Sequence, residues 1–170
     1  MKKLYLAFVI FFLIISSCKE RKKTWTNDQI KYKETFLEFC NELDTKKVTD
    51  LNSNSVTLKN IIQKYIHYRK DINLDSASLG LYSYVMKGFH HIVDSIGSKN
   101  LDAKPIIYYK KNKDFFKPFT GNLKKNIPNV LAYYHKNHPQ KPIATILFDQ
   151  KSHKIISWMI MKKGDYCFYF

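Results

Sequence analysis

From Asp28 to Gly97 apolar side chains return every three or four positions, whereas after Pro105 they arrive in short unbroken runs. The first texture predicts helices and the second predicts strands. Asp28 can cap a first helix whose stripe is Ile30, Phe36, Leu37, Cys40 and Leu43, with Lys31, Lys33, Glu34, Glu38 and Glu42 mostly off it. Residues 52–55, Asn-Ser-Asn-Ser, break the chain. Leu58, Ile61, Ile62, Tyr65, Ile66 and Arg69 then follow helical spacing. A third helix starts at Ser76 or Ser78, buries Tyr82, Val85, Met86, Phe89, Val93 and Ile96, and stops at Gly97. Gly88 weakens it by about 1 kcal/mol and is expected to admit a close neighbour.

Beyond Pro105, residues 106–110 (IIYYK) read as a strand and 115–119 (FFKPF) as a second strand or extended loop, with Pro118 demoting the latter to an edge. Pro128 suits the first turn of a short fourth helix through Val130, Leu131 and Tyr134, closed by Asn137-His138-Pro139. The remaining runs form a meander: 143–148 (IATILF), 155–161 (IISWMIM) and 166–170 (YCFYF), with turns at 149–152 and 163–165. The expected fold is α+β: three N-terminal helices, then an antiparallel sheet of three to five strands with one inserted helix. It forms one domain over residues 28–170, without internal repeats.

Charge changes the picture next. The chain carries 29 Lys+Arg against 14 Asp+Glu, a net +15. Such a surplus favours acidic partners: anionic lipid, envelope polyanions or an acidic protein. Nucleic acid is not expected, because only Arg21 and Arg69 are arginines and Arg is the usual reader of phosphate and base edges. A compositional preference for lysine is the plainer account of the surplus.

The first twenty residues, MKKLYLAFVIFFLIISSCKE, decide where such a surface works. Lys2 and Lys3 precede twelve apolar residues, Leu4 to Ile15. Twelve residues cover about 18 Å of a hydrocarbon layer about 30 Å thick, so the run suits a signal-peptide core rather than a span. Ile15-Ser16-Ser17-Cys18 resembles the lipobox of bacterial lipoproteins. The resemblance covers residues 1–18 and implies cleavage before Cys18, a lipid on its sulfur and an envelope address. Residues 1–17 are then a signal peptide and 18–27 a lipidated tether. Membrane contact through the lipid follows, with acyl chains holding the protein on a bilayer facing the periplasm or exterior.

Candidate chemistry is sparse. His135 and His138 form H-x-x-H without a nearby third ligand; His90 and His91 point about 100° apart on a helix, one toward the core edge and one toward solvent; His67 and Asp71 sit at i, i+4. The acids of the second half, Asp102, Asp114, Asp149 and Asp165, each fall in or beside an expected turn. No nucleophile elbow, zinc-protease motif or activated thiol is present, and neither a cofactor nor a metal is expected. Cys40 and Cys167 can bridge after export, with free burial in the core as the alternative. Tyr108, Tyr109, Lys110, Lys111, Lys113, Phe116 and Lys117 mix aromatics and lysines as a protein- or glycan-binding face would, unless the rings fill the core. The leading expectation is a lipid-anchored envelope protein whose domain binds a macromolecular partner, as an accessory or immunity-type protein. Two alternatives stand beside it: a ligand-binding or catalytic pocket between helices and sheet, and a structural lipoprotein resting on anionic envelope surfaces.

Overall fold

The computed structural model describes residues 25–68, 75–164 and 166–169. Cys18, Arg69, Asp71, Asp165 and Phe170 lie outside the described residues. Helix α1 spans Asn27–Asp44, and Thr26 rather than Asp28 caps it. The Thr26 hydroxyl accepts the Gln29 amide at 3.1 Å and the Gln29 carboxamide accepts the Thr26 amide at 3.1 Å. Its buried face is Gln29, Tyr32, Phe36, Phe39, Cys40 and Leu43, while Ile30 points to solvent. The face is rotated from the expected stripe because Tyr32 stacks on the Phe148 ring, centroids 4.7 Å apart.

Helix α2, Val56–Tyr65, is capped by Ser55 and buries Leu58, Ile61, Ile62 and Tyr65. Helix α3, Ser76–Ile96, starts on the Asp75 carboxylate and buries Leu79, Ser83, Met86, Phe89, His90 and Val93. Tyr82, Val85 and Ile96 are only half-buried. Gly97 ends α3 at φ 81°, a left-handed value that favours glycine, and its amide donates to the Val93 carbonyl at 2.7 Å. Gly88 has open space where a Cβ would sit, so it admits no close neighbour. Among the described residues no helix is long and apolar enough to cross a membrane.

Strands β1 (Leu101–Pro105), β2 (Val130–His135), β3 (Pro142–Phe148) and β4 (Ile155–Ser157) form an antiparallel sheet in that order. Strands β5 (Ile160–Lys163) and β6 (Tyr166–Tyr169) form a separate hairpin. The α+β class therefore holds, with several differences in placement. The first strand is 101–105, and 106–109 is a 3₁₀ turn. Residues 113–116 form a short helix, α4, and 117–120 another 3₁₀ turn, so 115–119 is not a strand. Pro128 lies inside a 3₁₀ segment, Asn122–Asn129, and the residues assigned to a fourth helix are strand β2. The expected strand 155–161 splits at Trp158, where the Ser157 hydroxyl accepts the Met159 amide at 3.1 Å.

The sheet separates two cores. Strand alternation sends Leu131, Tyr133, Ile146 and Phe148 toward the helices. Val130, Ala132, Tyr134 and Leu147 face the 3₁₀ segments and the hairpin. In the helical core Phe89 meets Phe36, Phe39, Tyr133 and Trp158 with ring centroids 5.2–6.5 Å apart.

Burial holds many phenols above their ordinary value. Tyr32 is pushed up to about 12 by burial and then by Asp28; Tyr133 and Tyr169 are raised further, chiefly by burial. A folded-state pKa above the unfolded value contributes stability below about pH 10 that is lost as pH rises through the folded value. Spectroscopic alkaline titration should therefore show these phenols silent at pH 10 and ionising together with unfolding. Smooth ionisation of every tyrosine near pH 10 without loss of structure would contradict this burial.

Candidate docking face and side-chain clusters

Charge is divided unevenly between the two halves of the chain. Residues 27–68 hold six lysines and six acids, whereas 103–170 hold thirteen lysines against Asp114, Asp149 and Asp165. The reason for the exposed lysines is local. A 3₁₀ turn repeats every three residues, so Ile106 and Tyr109 share one side, and Phe116 and Phe119 fall inward across the next turns. These four side chains join the second core. Lys110, Lys111, Lys113, Lys117, Lys124 and Lys125 are left exposed around them.

Of the seven residues singled out as a binding face, Tyr108 and the four lysines are exposed. Tyr109 and Phe116 are buried, at 3 % and 6 % exposure. The face is thus a lysine surface over an aromatic floor. A shallow groove of about 320 Å³ adjoins it at Lys117 and is lined also by Asp114, Asn122 and Lys162. There Asn122 takes both backbone groups of Cys167: its carboxamide NH₂ donates to the Cys167 carbonyl, and its oxygen accepts the Cys167 amide at 3.3 Å. A side chain thereby stands in for a neighbouring strand along β6.

A second polar cluster, missed in the sequence, surrounds Lys104. Its ammonium donates to the Pro139 carbonyl at 2.8 Å and lies 4.6 Å and 5.1 Å from the ring centres of Tyr109 and Tyr134. Burial lowers its pKa, against the pull of Asp102. Tyr109 also donates to the Pro139 carbonyl at 2.8 Å, and Tyr134 donates to Asp102 at 3.2 Å. Tyr134 is pushed up to about 12 by burial and then by Asp102. Asp102 completes the cluster with Lys33 at 2.7 Å, joining α1 to the sheet. It lies in β1 and not at a turn. The alternation of strand residues was the available signal: Asp102 and Lys104 both face away from Leu101 and Ala103.

Among the described residues, His67 joins Ser152 and Asp149, and His153 joins Asp28. His67 Nδ1 lies 3.2 Å from the Ser152 hydroxyl and 3.6 Å from Asp149. Ser152 gives its own hydroxyl and amide to Asp149 at 2.9 Å and 2.7 Å, so the carboxylate serves the serine and not a relay through the imidazole. Burial raises the Asp149 pKa, but these Ser152 bonds and His67 outweigh it and leave it below the usual carboxylate range. His153, at φ 56°, pairs with Asp28 at 3.0 Å. His135 closes β2 and His138 lies in the following turn, not at a helix end. Among the described residues no group of three or more His, Cys, Asp or Glu is placed to hold a metal. His90 is buried and donates from Nε2 to the Lys46 carbonyl at 2.8 Å, while His91 is exposed, as expected from their angle.

Cys40 and Cys167 are both free thiols. Cys40 packs in the helical core and Cys167 against the other one, with the sheet between, so no bridge joins them. Burial and then Asp44 push the Cys40 thiol up, away from reactivity. Between α3 and β4 runs a groove of about 200 Å³ lined by Leu81, Val85, Ile156, Trp158 and Met159, with Tyr82 and Ser157 as its polar side chains. Among the described residues that line it there is no acid–base pair. Comparisons with protein-family models, with curated proteins and with solved structures find no match to this chain.

Proposed function

We propose that this chain is a lipid-anchored cell-envelope protein, tethered through Cys18, whose basic domain docks an acidic macromolecular partner. The role is that of an accessory subunit or an immunity-type inhibitor. One observation carries this reading: the surplus of lysines lies in the second half of the chain, six of them exposed around segments whose aromatics face inward. A lysine excess due to composition alone would also load the helical side, where residues 27–68 are charge-balanced. Concentrated charge steers an oppositely charged partner and makes the encounter salt-sensitive.

Detergent-solubilised envelope passed over the wild-type protein should retain an acidic protein that elutes with salt. The K110E/K111E/K113E variant should lose it by at least about tenfold, since three reversals place like charges across the interface. Equal retention by both proteins, or no salt-sensitive partner, would overturn the docking face. The anchor is tested separately: Cys18→Ser should release the protein from membranes or block its maturation. Unchanged processing and tight association would overturn the lipid tether. A second reading, contact with anionic lipid, is favoured by the outer face of the β5–β6 hairpin.

A further inference from the structure

The hairpin pairs Ile160 with Tyr169, Met161 with Phe168, Lys162 with Cys167 and Lys163 with Tyr166. Alternation therefore makes two faces. Ile160, Cys167 and Tyr169 pack on the second core, and the Tyr169 hydroxyl donates to Thr145 at 3.0 Å, fastening the hairpin to the main sheet. The opposite face carries Met161, Phe168, Tyr166 and Lys163, with Met161 45 %, Phe168 38 % and Tyr166 70 % exposed. Asn122 holds the outer edge of β6 at Cys167, so this face belongs to a fixed element rather than to a fraying end.

We propose that this outer face lies on an anionic lipid surface, with Met161, Phe168 and Tyr166 entering the headgroup region and Lys163 meeting lipid phosphates. Three observations favour lipid over protein. The apolar part is on the order of 300 Å² for one Met and two partly covered rings, below the roughly 450 Å² of apolar area per partner in a stable protein interface. Aromatic side chains with neighbouring lysines suit the layer between hydrocarbon and water, where rings and cations are both satisfied. The hairpin also belongs to the half of the chain with thirteen lysines against three acids, which complements a negative membrane. The inference rests on the reading that the chain is tethered to a bilayer. Such a tether raises the local concentration of the surface and lets a contact too weak to act alone become populated.

Hydrogen–deuterium exchange of the full chain on vesicles tests this. Phosphatidylcholine vesicles, the same vesicles containing phosphatidylglycerol, and polyglutamate in solution serve as the three probes. Amides of 160–169 should exchange about tenfold more slowly on phosphatidylglycerol vesicles only, while those of α1 are unchanged. The difference should vanish in M161S/F168S with its circular dichroism retained, and in K163E, which removes no apolar contact. Equal exchange on both vesicles, protection by polyglutamate instead, or protection retained in both variants would overturn the proposal. The intact mass of Cys18 is read on the same sample. An unlipidated chain with a protected hairpin removes the tether alone; a lipidated chain with an unprotected hairpin removes this inference alone.

Discussion

Phe89→Ala is expected to destabilise the protein by about 3–5 kcal/mol, the range for deleting a buried aromatic ring. Phe89 is 1 % exposed and touches rings from three directions: Phe36 and Phe39 on α1, Tyr133 on β2, and Trp158 at the break between β4 and β5. No single neighbour can fill the space, because each is held by a different element. A domain has only about 5–15 kcal/mol in hand, so the loss should appear as a large drop in urea midpoint. Tyr84→Ala is the control on the same helix: Tyr84 is 78 % exposed, and its removal should change stability by no more than about 0.5 kcal/mol. Similar midpoints for the two variants would contradict the packing described.

Asp102→Ala carries the second large effect, about 2–3 kcal/mol, because the Lys33 ammonium and the Tyr134 phenol are left without their acceptor. Its carboxylate meets Lys33 at 2.7 Å and the Tyr134 hydroxyl at 3.2 Å, and both oxygens are used. The pair is partly buried, with side-chain exposures of 32 % and 21 %, so water screens it less than a surface pair. Asp102→Asn keeps an acceptor for Tyr134 and should cost less. The double change Lys33→Met with Asp102→Leu should recover part of the loss, since neither charge is then stranded. Chemical denaturation of the four proteins checks this; equal stability of wild type and Asp102→Ala would remove the cluster as a strut between α1 and the sheet.

The helical half was legible because each helix announces itself locally. Ser55, Asp75 and Gly97 punctuate α2 and α3, and the i, i+3, i+4 apolar spacing between them has no strand equivalent. Rotation of α1 was not legible: it depends on Phe148, more than a hundred residues away, drawing Tyr32 inward and leaving Ile30 outside. In the second half a short apolar run means little by itself. Val130–Tyr134 is buried on both faces as a central strand, so it shows no alternation and resembles a helix segment. Ile106–Tyr109 has strand-forming residues, yet its spacing of three fits a 3₁₀ turn that puts both ends of the run into the core.

The lysines of the candidate face were readable as a group; which rings they would keep company with was not. Tyr109 and Phe116 are floor rather than surface, and Lys104 draws its meaning from Pro139, thirty-five positions on. The placement of the histidines and cysteines depends on the same distant packing. His135 and His138 sit on a strand end and in the following turn, ring centroids 5.6 Å apart, rather than at a helix end, and the two cysteines lie on opposite sides of the sheet.

In-cell photo-crosslinking tests the docking face most directly. A photoreactive residue replaces Lys111, exposed beside the 3₁₀ insert, or Lys59, exposed on the charge-balanced helical side. A docking face there gives adducts to an acidic protein from position 111, lost with K110E/K113E, and none from position 59. Adducts from position 59 with none from 111 would contradict it.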